Sequence, residues 1–212
     1  NYLHYLEREI AVQGELFRSE PDVVQLHWGG GTPTYLKHDE LRQLMATIRS
    51  HFRLAAEGEY SVEIDPRTAD GETMAVLADL GFNRASFGVQ DFDSVVQKAV
   101  NRVQTREETV RVIRAARHEG FKSINIDLIY GLPHQTVVGF NSTLDSVIAM
   151  DPDRVSIYSY AHLPSRFKAQ RRINEANLPD VGTKLQLLGL AIKRMTDAGY
   201  IYIGMDHFAK LD

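Results

Sequence analysis

A glycine-rich turn, Gly29-Gly30-Gly31-Thr32-Pro33, directly follows the apolar-rich run at residues 23–28. Consecutive glycines cost backbone entropy, so they are tolerated where the chain must turn tightly and where a ligand must approach bare backbone. A strand that ends in such a turn indicates a small-molecule site at the carboxyl end of a parallel sheet. A glycine-rich turn between a strand and a helix, with no ligand, is the alternative.

The segment Glu63-Ile64-Asp65-Pro66-Arg67 closes another predicted strand with two carboxylates. Glu63 suits an amino group or ribose hydroxyls, because an ionised carboxylate only accepts hydrogen bonds. Asp65 precedes a proline, which restricts its backbone, so it either shares that role or only shapes the turn. Glu63 is the stronger candidate, and the role of Asp65 stays open.

Further polar groups follow the next predicted strands. Gln90 ends one strand with an amide, and Asp127 ends the next with a carboxylate on the same face of the sheet. Arg102 lies in a loop before a helix, where its guanidinium suits a bidentate contact with a carboxylate. A lone arginine is more often a solvated surface charge, so this assignment needs support from elsewhere.

A basic cluster at residues 166–172 follows the segment Tyr160-Ala161-His162-Leu163-Pro164, and it contains Arg166, Arg171 and Arg172. The chain around it is acidic, with a net charge of −4. The cluster therefore favours an anionic small molecule over a polymer, and a solvated charged face is an equal alternative.

Composition narrows the function classes. The 28 acidic residues are spread along the chain and outnumber the 24 basic ones, which argues against a nucleic-acid partner. No run of 18 apolar residues and no signal-peptide pattern occurs, so the sequence predicts no membrane association and a cytoplasmic location. The absence of cysteine excludes a disulfide, a thiolate metal site and a cysteine nucleophile within these residues. The histidines lack metal-ligand spacing, and His27, His162 and His207 are candidates for polar contacts.

Helical and strand periods alternate along the chain, which is typical of βα units and a parallel sheet. Strands are predicted at residues 23–28, 59–64, 84–89, 123–129, 154–160 and 200–204. Helices are predicted around Leu3, over residues 39–52, 70–81 and 105–120, and around Phe140 and Leu188. About five strand-helix units, in one domain over residues 1–212, are expected.

The predicted strands carry polar residues on one face. Strands covered by helices on both sides are normally apolar throughout, and a closed barrel is filled with branched aliphatic side chains. The pattern therefore predicts an α/β fold, a wide or incompletely closed (β/α) barrel whose inner face lines a polar cavity. The residues expected to pack outward on helices are Val24, Leu26, Val62, Ile64, Ile124 and Ile126. A hydrogen-bonded polar core is the alternative.

Six segments, which keep one order along the whole chain, together resemble the oxygen-independent coproporphyrinogen III oxidase family of radical S-adenosylmethionine enzymes. Three of them are the glycine turn and the segments that begin at Glu63 and Tyr160, given above. The other three are Gly88-Val89-Gln90-Asp91-Phe92, Asn125-Ile126-Asp127-Leu128-Ile129-Tyr130-Gly131-Leu132-Pro133 and Gly204-Met205-Asp206-His207-Phe208-Ala209. The glycine turn alone would indicate only the superfamily, so the combination carries the resemblance.

The resemblance implies oxidative decarboxylation of two propionates of coproporphyrinogen III, giving protoporphyrinogen IX. It implies a [4Fe-4S] cluster that reduces S-adenosylmethionine, and a resulting 5'-deoxyadenosyl radical that abstracts a hydrogen from the propionate. It also implies a flavodoxin-type electron donor and a monomeric complete protein.

The resemblance further implies two molecules of S-adenosylmethionine. By motif position, Gly30 and Glu63 contact the cluster-bound molecule. The residues implied for the second molecule are Gly31, Thr32, Gln90, Arg102, Asp127 and Ala161.

One departure from the family is large. The family holds its cluster with a cysteine triplet, CxxxCxxC, expected before a helix that begins near Asn1, and a carboxyl-terminal domain is expected after Asp212. The sequence therefore predicts the central part of a radical SAM core, residues 1–212, as a partial barrel without its first strand. On its own it is expected to be inactive, because iron-sulfur clusters require thiolate ligands.

Two other function classes stay open. A haem-trafficking relative would bind haem without decarboxylating anything. An ordinary acid-base barrel enzyme would use Glu63 and Asp127 and would need no cluster.

Overall fold

The computed structural model describes residues 2–17 and 22–211. Asn1 and Asp212, the ends of the predicted core, lie outside the described residues. The helices are α1 (Tyr2–Leu16), α2 (His38–His51), α3 (Gly71–Asp79), α4 (Ser94–Ala99), α5 (Arg106–His118), α6 (Val137–Ala149) and α7 (Val181–Asp197). The strands are β1 (Val23–Trp28), β2 (Leu54–Ile64), β3 (Arg84–Gln90), β4 (Ser123–Tyr130), β5 (Arg154–Ser159), β6 (Ile201–Gly204) and β7 (His207–Ala209).

The strands form one sheet in the order β1-β2-β3-β4-β5-β7-β6. β1 pairs with β2 and β4 pairs with β5 in parallel, as the alternation of strands and helices predicts. β7 pairs antiparallel with both β5 and β6. The sequence did not predict β7 or the short helix α4, because three and six residues are too few to show a period.

The chain divides into two compact units. The first runs from α1 to Ser86 and includes Val112–Lys122. In it, α1 contacts α2, and Leu41, Met74 and Leu77 are fully buried. The Asp70 carboxylate accepts a hydrogen bond from the Thr73 backbone at 2.9 Å and caps α3. The predicted start of that helix is therefore confirmed.

The second unit comprises Phe87–Arg111 and the chain from Ser123 onward. The Thr105 and Glu108 side chains accept hydrogen bonds from each other's backbone N–H groups, at 3.1 and 2.8 Å. This is the capping box that the sequence predicts before α5. α6 packs against α7, and the side chains of Phe140 and Leu144 on α6 are fully buried.

The predicted alternation of apolar and polar faces holds for most of the sheet. Val62, Ile64, Ile124 and Ile126 are buried. The residues between them along the strands, Glu63 and Asn125 among others, are half-buried. A polar, partly accessible face on these strands is therefore confirmed.

The expectation that Val24 packs outward on helices is wrong, because its side chain is 62% exposed. Pairing of β1 with β2 shifts register between Val23 and Gln25, because Val23 pairs with Leu54 whereas Gln25 pairs with Glu59. Such an irregularity interrupts the strict alternation of faces on which the prediction depended. Val23, and not Val24, lines a cavity beside α1, and Leu26 is half-buried.

Replacing Leu144 with alanine should lower the free energy of unfolding by about 2–5 kcal/mol, because the fully buried side chain leaves a cavity. Val138→Ala, on the same helix but at a side chain that is 80% exposed, is the matched control and should change stability little. Denaturant unfolding measures both. Equal stability of the two variants would contradict the packing of α6.

None of the helices that the structure describes combines the length and the apolar character needed to cross a membrane.

Candidate functional site

In the first unit, the glycine turn leaves the end of β1. A Cβ on Gly29 would lie 2.5 Å from His27 Nε2 and 3.0 Å from the Glu63 carboxylate, so a side chain there would displace both groups. Gly30 has a φ of +96°, a conformation that favours glycine. A Cβ on Gly31 would meet nothing within 4 Å, so the backbone faces open space. The turn thus presents bare backbone beside Glu63, as a ligand site requires.

Glu63 is joined to β1 through His27. The His27 ring lies 2.8 Å from Ser61 Oγ through Nδ1 and 3.4 Å from Glu63 Oε1 through Nε2. The two ionisable side chains stay 55% and 45% exposed, respectively. The Glu63 carboxylate is therefore oriented by its neighbours and keeps room to accept hydrogen bonds from a ligand.

Asp65, the other carboxylate of this segment, is held by Arg67. The Arg67 guanidinium donates to both Asp65 oxygens, at 2.6 Å from Nη2 to Oδ2 and 3.0 Å from Nε to Oδ1, and its backbone N–H donates as well. This hydrogen bonding to Asp65 raises the pKa of Arg67 further. The carboxylate of Asp65 is buried and fixed within the turn by Arg67, and Glu63 is the accessible member of the pair.

A cavity of about 730 Å³ lies in the first unit, between α1, β1 and α2. Gly31 and Thr32 belong to its wall, and apolar side chains such as Leu6, Leu26 and Leu44 form most of the remainder. Two residues predicted to contact S-adenosylmethionine thus border a space large enough for a small molecule.

A pocket of about 610 Å³ lies in the second unit and contains Gln90 and Arg102 together. Its wall also carries Tyr160, Lys168 and Arg172. Arg102 Nη2 donates to the Gly88 carbonyl at 2.8 Å, and a Cβ on Gly88 would lie 2.9 Å from that nitrogen. The absence of a side chain at Gly88 therefore lets the guanidinium lie against β3. Three cationic side chains in one pocket suit an anionic ligand.

The loop after β5 is fastened by the side chain of Gln170. Its Nε2 donates to the Ala161 carbonyl at 2.9 Å, and its Oε1 accepts from the Leu163 backbone. These hydrogen bonds fix the backbone at Ala161, the residue after Tyr160 of the pocket wall. The basic cluster divides: Lys168 and Arg172 line the pocket, whereas Arg166 and Arg171 do not, and Arg171 Nε donates to the Pro164 carbonyl at 2.9 Å.

Asp127 belongs to a chain of hydrogen bonds across β4, β5 and β7. It accepts from Asn125 Nδ2 at 2.8 Å, and Asn125 Oδ1 accepts from Ser156 Oγ at 3.2 Å. Ser156 Oγ in turn lies 3.0 Å from His207 Nδ1. Asp127 lies outside the pocket wall, on the same strand face as Ile129, which lines it.

The structure thus groups some of the predicted residues within each unit. In the first unit, Gly30, Gly31 and Thr32 belong to the turn whose first glycine, Gly29, lies beside Glu63. In the second unit, Gln90 and Arg102 share a pocket. Sequence reasoning missed Lys168 and Tyr160 as pocket residues, although both lie in segments that it singled out. It also missed Gln170, whose uncharged side chain gives no signal within a basic run.

The residues present do not fit an iron-sulfur cluster. The sequence has no cysteine, and the described residues include no group of three histidine, aspartate or glutamate side chains that could hold a metal ion. They do fit S-adenosylmethionine, because an accessible carboxylate beside bare backbone and a cationic pocket match its amino and carboxylate groups.

A family model described as the radical SAM superfamily matches residues 2–147. The chain belongs to the radical SAM superfamily, and this membership implies S-adenosylmethionine and a [4Fe-4S] cluster. The predicted fold class is confirmed as well.

Among curated proteins, the chain is 54% identical over its full length to an oxygen-independent coproporphyrinogen III oxidase of Pseudomonas aeruginosa and 48% identical to that of Escherichia coli. It spans 46% of the length of each relative. The solved structure of the Escherichia coli enzyme superposes with a TM-score of 0.96 at 48% identity, over all of this chain and 48% of that one. An archaeal Elp3 structure, at 15% identity and a TM-score of 0.69 over 89% of this chain and 49% of that one, shares the fold alone.

Proposed function

We propose that the full-length protein catalyses the oxygen-independent oxidative decarboxylation of coproporphyrinogen III to protoporphyrinogen IX. The observation that carries this proposal is the 54% identity, over the whole chain, to an enzyme of that name. The site residues implied by the family motifs also lie in chemically suitable surroundings.

Glu63 and Gly30 are proposed to hold the S-adenosylmethionine molecule that is used for the radical step. The Glu63 carboxylate accepts hydrogen bonds from the methionine amino group, and the bare backbone at Gly30 lets the ligand approach. His27 and Ser61 keep that carboxylate in place through the contacts already described.

A second S-adenosylmethionine molecule is proposed to contact Gly31, Thr32, Gln90, Arg102, Asp127 and Ala161. Arg102 supplies a planar pair of donors to the methionine carboxylate, and the Gln90 amide supplies both a donor and an acceptor. The presence of Gln90 and Arg102 in one pocket supports this assignment.

When bound and reduced, S-adenosylmethionine supplies the radical that removes a hydrogen from a propionate. These 212 residues contain no ligand for the cluster, so their own contribution is to bind, orient and shield the reactants. Several further properties stay predictions. They are the location in the cytoplasm, the flavodoxin-type electron donor, the absence of a nucleic-acid partner, the monomeric state and the extent of one core over residues 1–212.

Substrate propionates are proposed to meet the basic cluster. Arg172 and Lys168 line the pocket, which supports them as cationic partners of a propionate. Arg166 and Arg171 remain weaker candidates from the sequence.

The experiment is anaerobic turnover by the full-length gene product, with coproporphyrinogen III, S-adenosylmethionine and a reductant, followed by chromatography of the oxidised porphyrins. Protoporphyrin is the expected product. Haem binding without any protoporphyrin would favour the haem-trafficking alternative, and turnover by the cysteine-free 212 residues would favour the acid-base enzyme.

A further inference from the structure

Gln90, at the end of β3, has a backbone conformation that is rare for a residue with a side chain. Its φ is +68°, and the Asp91 backbone N–H donates to the Val89 carbonyl at 2.9 Å. A three-residue turn with a positive φ at its centre is strained, and such strain persists only where the surroundings impose it.

The carbonyls on both sides of Gln90 are held by two buried glutamines. Gln104 Nε2 donates to the Val89 carbonyl at 2.6 Å, and Gln97 Nε2 donates to the Asp91 carbonyl at 2.9 Å. Gln97 Oε1 also accepts from the Gln104 backbone N–H at 3.2 Å, so the Gln97 side chain fixes the backbone that carries Gln104.

The Asp91 carboxylate anchors the far side of the turn. It is 1% exposed. Oδ1 accepts from Thr143 Oγ1 at 2.6 Å and from the Asp93 backbone at 2.8 Å, while Oδ2 accepts from Gln135 Nε2 at 2.6 Å. Burial raises the pKa of Asp91, and these hydrogen bonds oppose that shift. An anion without a neighbouring cation among these contacts is costly to bury, which indicates a specific role.

Gln135 connects Asp91 to another part of the pocket wall. Its Nε2 also donates to the Ile129 carbonyl at 3.0 Å, and its Oε1 accepts from the Gly131 and Leu132 backbone N–H groups. Ile129 and Leu132 line the same pocket as Gln90. The pair of Asp91 and Gln135 therefore joins two segments of the pocket wall, the turn at Gln90 and residues 129–132.

We propose that Asp91 and Gln135 are positioning residues, which hold the strained turn at Gln90 and thereby set the affinity of this pocket for its ligand. The inference rests on the proposed function for the identity of that ligand, S-adenosylmethionine. Asp91 and Gln135 act through Gln90, Ile129 and Leu132, and they do not touch the ligand themselves.

Equilibrium dialysis of S-adenosylmethionine against the reconstituted full-length protein tests this, with the data fitted to two sites. Asp91→Asn places an amide N–H₂ group against Gln135 Nε2, so two donors face one another. The affinity of the site that contains Gln90 should therefore fall about tenfold, while the affinity of the other site is unchanged. Asp93→Asn is the matched control, since Asp93 caps α4 two residues later, and both sites should keep their affinity.

Weakening of both sites by Asp91→Asn would overturn the positioning role. Wild-type affinity in Asp91→Asn would also overturn it, whereas a wild-type protein that binds no S-adenosylmethionine would overturn the proposed function.

A ligand-independent comparison tests the strain directly. Gln90→Ala and Gln90→Gly both remove the amide, but only glycine adopts a positive φ without strain. Gln90→Gly should therefore melt about 2–4 °C above Gln90→Ala. An equal or lower melting temperature would overturn the inference that the turn is strained.

Discussion

Replacing Arg102 with alanine should weaken binding of one S-adenosylmethionine molecule to the full-length protein about 10- to 150-fold. Charge-assisted hydrogen bonds to a carboxylate contribute about 1.5–3 kcal/mol, and about 1.4 kcal/mol corresponds to a factor of ten. The side chain lies in the pocket with Gln90 and against Gly88, so its guanidinium is already oriented before a ligand binds.

Two controls separate charge from shape. Arg102→Lys keeps the charge but loses the planar fork, so it should recover only part of the affinity. Arg106→Ala removes an exposed arginine four residues later and should leave binding unchanged. Isothermal titration calorimetry measures all three variants. Wild-type affinity in Arg102→Ala would remove this residue from the site.

Replacing Glu63 with glutamine should lower the proposed turnover by the full-length protein by one to two orders of magnitude. Loss of a charge-assisted hydrogen bond, about 1.5–3 kcal/mol, corresponds to a change of roughly this size. The amide keeps the size of the side chain but loses the charge that is proposed to bind the methionine amino group. Because Glu63 is close to half exposed, solvent screening places the expected effect toward the lower end of this range.

Glu57→Gln is the matched control on the same strand, at a side chain that is 92% exposed, and it should leave turnover unchanged. A normal rate in Glu63→Gln would mean that another group binds the amino group. Circular dichroism of both variants checks that β2 and its neighbours stay folded.

Much of the fold could be predicted because its signals are local. The strand at Val23–Trp28 and the start of α5 follow from hydrophobic period and from a capping box, which involve neighbouring residues only. Val24 shows where this reasoning ends, since its exposure depends on how β1 pairs with β2.

The residues of the candidate site could also be predicted only in part. The sequence favoured Glu63 and left the role of Asp65 open, because the burial of Asp65 depends on a guanidinium that folds back from Arg67. The network around Asp91 lay beyond sequence reasoning altogether. Its partners Gln135 and Thr143 lie 44 and 52 residues away, and uncharged side chains give no pattern that would connect them.

The most direct test of the central claim, radical decarboxylation, uses coproporphyrinogen III deuterated on the propionate carbon next to the ring. The full-length protein is incubated anaerobically with S-adenosylmethionine and a reductant, and the 5'-deoxyadenosine formed is analysed by mass spectrometry. We expect 5'-deoxyadenosine that carries deuterium, in step with the appearance of protoporphyrinogen IX. Protoporphyrinogen IX formed with unlabelled 5'-deoxyadenosine, or with none, would contradict the account.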